Sequence, residues 1–278
     1  AAIETRFEEL GGQLTAEEEA QADSYASQLM EQYGDTYKAN GIGLNTVQRF
    51  ERILIKSSDL LELVYGVDGE TPVSDADLTS HLENNMYELA YYTIPLYNTS
   101  TYASADDDQI TEMLNLAQSA IDDVNSYAAT LADLSDSTNS SMLMGAFSGV
   151  VTSALPDIYK VLNSTYSSDS DAPSLELIGD STVTSAFTAD GAADTVRSLS
   201  IGQAAALKYN GYAMMAVLRL DPLSLNSLDN LRTQVLNDMK SEELTDALAA
   251  YGASLEHNLS SSAMNRMPAS KIVNSSTN

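Results

Sequence analysis

The chain contains no cysteine and no tryptophan, two histidines, and 13 basic residues against 40 acidic ones. Without cysteine there is no disulfide, no thiolate metal site and no cysteine nucleophile. A formal charge of −27 repels phosphate, which excludes nucleic-acid binding through a basic face and disfavours docking on anionic lipid. The longest apolar stretch, Met142 to Leu155, falls short of the ~20 residues that span a bilayer. No phosphate loop and no G-x-G-x-x-G occurs.

The candidate chemistry is thin. His81 and His257 lie far apart and match neither His-x-x-x-His nor Glu-x-x-His, the helical spacings that hold zinc. Gly145-Ala146-Phe147-Ser148-Gly149 is G-x-x-S-G, one residue off the nucleophile elbow, and it sits in a helical pattern rather than after a strand. Carboxylates gather at Asp68, Glu70, Asp75 and Asp77, and again at Asp169, Asp171, Glu176 and Asp180. Such loops can bind calcium through oxygen, but neither fits the EF-hand pattern, and in so acidic a chain they read as solvated surface. No catalytic residue, cofactor or metal is expected.

Hydrophobic residues make up 44% of 278, enough to bury a sizeable core in one large or two small domains. The periodicity reads as helical throughout. Thr15 and Glu18 form a capping box, after which Ala22, Tyr25, Leu29 and Tyr33 recur at helical spacing and Gly34 reads as the stop. A second stripe carries Val47, Phe50, Leu54, Leu61 and Val64 to Gly66, and a third runs from Ser74 through Leu78, Leu82, Met86 and Leu89 towards Pro95. Ile110, Leu114, Ala117, Ile121, Val124, Ala128 and Leu131 keep heptad spacing, as in a helix packed along a neighbour. Met142 to Leu155 is apolar on every side, like a helix buried in a bundle, with Pro156 as its break. Ala192 to Leu220 reads as one long helix, with Gly202 and Gly211 allowing close approach, and Ser227–Met239 and Ser241–Tyr251 as two shorter ones.

The expectation is an all-α bundle of about seven or eight helices. It comprises a half over 1–162, an irregular excursion over 163–191 that holds at most a short strand or helix near Leu175 to Phe187, further helices over 192–259, and a tail over 260–278. Asn98, Asn139, Asn163, Asn258 and Asn274 each open an N-x-[ST] sequon, all in expected loops or the tail, which points to an exported chain with glycans on asparagine. The first residues, Ala1-Ala2-Ile3, are what removal of an export leader after a small residue leaves. Tyr91, Tyr92, Tyr97 and Tyr102 read as a contact patch, since tyrosine joins an apolar body to a polar tip. The functional expectation is a non-enzymatic subunit of an extracellular or surface assembly (filament, sheath, surface layer or virion) that forms homo-oligomers or polymers. The alternatives are a helical module holding a lipid, pigment or other apolar ligand, and a membrane-active protein using 142–155.

Overall fold

The computed structural model describes residues 1–166, 172–256, 261–266 and 271–272. The chain divides into two compact units, Ala1–Ser74 with Thr233–Asn278, and Asp75–Arg232. The first contains α1 (Ala2–Glu9), α2 (Ala16–Ala39) and α3 (Leu44–Tyr65). The second begins with α4 (Asp75–Asn85), β1 (Met86–Pro95), α5 (Asp107–Ala128) and α6 (Ser137–Val161). It continues through β2 (Ser174–Gly179), α7 (Asp180–Ala186), α8 (Ala192–Ser198), β3 (Ala204–Lys208), β4 (Ala213–Leu220) and α9 (Pro222–Leu225). The helix α10 (Leu228–Ser254) begins in the second unit and continues in the first, followed by α11 (Ser261–Arg266).

The all-α expectation is overturned by a four-stranded antiparallel sheet in the order β2-β1-β4-β3. Two stretches read as helix are strand. The third helical stripe ends at Asn85, and Met86–Pro95 is an interior strand buried at nearly every position. Ala90, Tyr92 and Ile94 enter the core shared with α5 and α6, while Tyr87 and Leu89 enter a second core with Val183, Phe187 and Val196. A strand covered on both faces shows no alternation of apolar and polar residues, so its period-2 signature vanishes. Similarly, 192–220 is not one helix. It is α8 followed by the β3–β4 hairpin, in which Lys208 pairs with Met214. Asn210 Oδ1 accepts from the Tyr212 and Ala213 amides, 2.8 and 2.9 Å away, closing the turn at Asn210-Gly211.

The other departures are smaller. The 163–191 excursion contains both β2 and α7 where one short strand or helix was expected, and α10 is one helix where two were expected. Gly34 is buried inside α2 rather than ending it. The α6 helix runs through Pro156, which is solvent-exposed, so water can satisfy the Thr152 carbonyl that proline leaves without a partner. Nor is α6 buried all round. Leu143, Phe147, Val151, Leu155 and Ile158 are buried, whereas Met142, Gly145, Gly149 and Ser153 are exposed. By length and composition this 25-residue helix could cross a membrane, a test that soluble core helices also pass. On α5 the stripe that enters the core is Met113, Ala117, Ile121, Val124 and Ala128.

The β3 edge of the sheet is closed by side chains. Asn125 on α5 donates from Nδ2 to the Ala204 carbonyl (3.0 Å) and accepts the Ala204 amide on Oδ1 (2.7 Å). Gln118, two turns earlier, accepts the Ala206 amide at 3.0 Å. The two amides stand in for a fifth strand and cover an edge that would otherwise invite pairing with another chain. Replacing Asn125 by Ala strips both partners from Ala204, so we expect a loss of about 2 kcal/mol in urea unfolding, with increased aggregation. An unchanged midpoint would show that the edge does not depend on Asn125.

Candidate functional site

In the first unit α2 and α3 are built inside out. The buried residues of α2 are Ala22, Ala26 and Gly34, while Tyr25 and Tyr33 are exposed. The second half of α3 buries Leu60, Leu61, Val64 and Tyr65, but its first half leaves Phe50 56% and Leu54 49% exposed. Small residues are thus the buried ones on α2, and large apolar side chains of both helices are turned outward. Of the two stripes expected from the spacing, Ala22, Val47, Leu61 and Val64 are buried, Leu29 is half-buried, and Tyr25, Tyr33, Phe50 and Leu54 are exposed. The competing ridge of Ala22, Ala26 and Gly34 was equally visible at helical spacing, but hydrophobicity alone ranks it lower.

Phe50, one of these outward residues, also lines an open cleft of about 230 Å³ formed with Leu29, Tyr37, Ile42, Thr46, Val47 and Glu51. A Schellman turn shapes its closed end. Gly41 adopts φ +75°, the Ile42 amide bonds the Tyr37 carbonyl at 2.8 Å, and the Gly41 amide bonds the Lys38 carbonyl at 3.0 Å. Such a turn brings the side chains of its two ends, here Tyr37 and Ile42, together. Ion pairs fix the helices nearby. Arg52 reaches Asp23 on α2 at 2.6 Å, and Arg49 grips Glu4 through Nε (3.0 Å) and Nη2 (2.7 Å). The Arg49 hydrogen bonds hold the Glu4 carboxyl down at about 2. Glu51 lies between these arginines in sequence, and among the described residues it has no cation of its own.

The second unit carries a smaller pocket of about 110 Å³, lined among others by Leu89, Tyr91, Glu176, Ile178, Phe187 and Tyr209. Tyr91 donates to Glu176 Oε2 at 3.0 Å, and burial followed by that carboxylate raises the phenol above its ordinary range. This volume is well below the roughly 300 Å³ at which ligand sites begin. A wider depression of about 360 Å³ at Asn125, Leu134, Ile201 and Gly202 overlies the amide that closes the sheet edge.

The four tyrosines read as one patch are dispersed. Tyr92 is buried, its hydroxyl 2.8 Å from Ser148 Oγ and its ring 6.0 Å from Phe147, so it is a core residue. Tyr91 points to the opposite face of β1 and packs against the second core. Tyr97 and Tyr102 stack at 6.1 Å in the following loop, with Tyr102 77% exposed. The described sequons also differ. Asn98 spends its Nδ2 on the Leu162 and Asn163 carbonyls and its Oδ1 on the Ser100 and Thr101 amides. Asn139 bonds the Asp133 carbonyl. Asn163 is exposed, at φ +50°, and makes no side-chain hydrogen bond among the described residues. Asn258, Asn274, His257, Asp169 and Asp171 lie outside the described residues. Glu70 and Asp75 are engaged by Arg6 and Arg232, Asp180 is engaged by Arg197, and no group of three histidines or carboxylates among the described residues could hold a metal.

No family model matches the chain, and no curated protein matches its sequence. Among solved structures, the foldase protein PrsA from Streptococcus pneumoniae str. Canada MDR_19A is similar at 10% identity and a TM-score of 0.48, over 96% of this chain and 87% of that one.

Glu88 is the unusual titratable group. It is 3% exposed in the interior strand β1, and its Oε2 has no hydrogen-bond partner. Burial alone pushes its carboxyl up to about 7. An acid held above its unfolded value of 4.5 keeps its proton in the fold, so its contribution to stability is intact below that value. That contribution is lost as pH rises through 7, at a cost of about 3 kcal/mol. Glu88→Gln cannot ionise. Relative to wild type it should therefore gain stability between pH 5 and pH 8 in urea titrations, and an equal difference at both values would place the proton elsewhere.

Proposed function

We propose that the protein is a non-enzymatic binding protein that holds an apolar segment of another polypeptide in the α2/α3 cleft. The observation that carries this reading is the outward orientation of Tyr25, Tyr33, Phe50 and Leu54 above small buried residues. Exposing large apolar side chains costs solvation free energy, and a contiguous patch of them marks a surface that is covered in use. The cleft is open and includes Phe50 of that set, which suits an amphipathic or extended segment better than an enclosed small ligand.

A specific feature favours a second reading, the self-associating subunit of a surface assembly. From Ser137 to Pro156 the α6 helix carries no charged residue in a chain of net charge −27, and Gly145, Gly149 and Ser153 on it are exposed. Copies of so acidic a protein repel, and they approach most readily through an uncharged face. In that reading the chain is exported, and Asn163 is the sequon best placed to carry a glycan. Light scattering at low and high salt separates the two, since an assembly subunit grows in mass as salt screens the charge and a monomeric binder does not.

The absence of tryptophan makes the binding reading simple to test. A peptide of about 12 residues, ~18 Å long if helical, with an apolar face and a single tryptophan reports binding against a protein that is silent under selective excitation. Replacing both Phe50 and Leu54 by Ser should weaken binding at least tenfold and leave the urea midpoint within about 0.5 kcal/mol, as for exposed positions. Binding that survives the double substitution would sink this reading.

A further inference from the structure

We infer that the segment held in the α2/α3 cleft is cationic, with a lysine or arginine beside its apolar anchor meeting Glu51. This rests on the binding reading above and adds the chemistry of the partner. Of the residues lining the cleft, Glu51 is the one carboxylate, and it is partly buried beside Val47, Phe50 and Ile42. A carboxylate half withdrawn from water beside apolar side chains is stabilised by a cation. The two arginines adjacent on α3 do not supply it, since Arg49 is committed to Glu4 and Arg52 to Asp23. Lys56, one turn further, lies over the Phe7 ring at 5.3 Å. The cleft therefore presents an apolar wall and an unneutralised acid, complementary to an apolar side chain followed by a basic one. An anionic partner, including a second copy of this chain at −27, meets both Glu51 and the overall field.

The test uses three versions of the tryptophan peptide that differ at the residue beside the tryptophan, with Arg, Gln or Glu. We expect the Arg peptide to bind about fivefold more tightly than the Gln peptide and the Glu peptide more weakly than either. The Arg preference should fall in about 0.5 M salt and disappear in Glu51→Gln. The substitution is the decisive arm, because removing one of 40 acids barely alters the long-range field. A preference that persists in Glu51→Gln would come from that field and overturn the proposal. Equal affinity for the Arg and Gln peptides would overturn it too, while leaving the apolar-binding reading intact. If none of the peptides binds, both fall. Self-association lost on replacing Phe50 by Ser would show that a second copy fills the cleft, and would likewise overturn a cationic partner.

Discussion

The pairing of β1 with β4 organises the second unit. Residues Glu88–Pro95 run antiparallel to Ala213–Leu220 in unbroken register, joining segments that lie far apart in the chain. Closing such a loop costs entropy before any contact repays it. The return comes from two cores at once, since alternate residues of the pair enter opposite faces. Ala90, Ile94, Met214, Ala216 and Leu218 meet α5 and α6, whereas Tyr87, Leu89, Met215 and Val217 meet α7 and α8. Neither helical layer has a surface to pack on without the strand pair, and the strand pair without them would expose two apolar faces. Glu88 is the exception inside this arrangement, a carboxyl kept where only its protonated form is comfortable.

The first unit solves a different problem. Its α2 carries six acids and one lysine along 24 residues, so it gains little from a conventional apolar seam against a charged partner. It buries alanine and glycine instead, and Arg52–Asp23 ties it to α3. The Thr15–Glu18 box and the Gly41 turn fix where the helix begins and ends. The outward row of aromatic and aliphatic side chains follows from that choice, because residues three and four apart on a helix share one side. Buried small residues and an exposed apolar surface are thus two sides of one spacing pattern.

The helices whose apolar stripe faces a single core were legible in the sequence. The capping box at Thr15 and the Ala117, Ile121, Val124 and Ala128 part of the α5 stripe appear in the structure as the spacing implies, and β2 with α7 lies near the expected short element at Leu175 to Phe187. The sheet was not, for two physical reasons. Burial on both faces removed the alternation from β1, although Tyr87, Tyr91, Tyr92, Thr93 and Ile94 favour strand by composition. In the β3–β4 segment, alanine, methionine and leucine suit either structure, and the deciding signal was Asn210-Gly211, a hairpin dipeptide between two apolar runs. The cleft was hidden by a reasonable rule, that large apolar side chains face inward, which fails where small residues hold the helix interface. The partners of Asn98 depend on bringing 98 beside 162, and no local pattern reveals that.

The first unit is also discontinuous. Its opening helices are completed by residues that follow the entire second unit. Tyr65 bonds Glu243, Glu62 accepts from Thr233, and Glu9 accepts from Tyr251. During synthesis the second unit leaves the ribosome whole, with every strand available, while α1 to α3 still lack α10. The first unit can therefore close only after the second has emerged, once residues near 250 are available to Glu9, Glu62 and Tyr65.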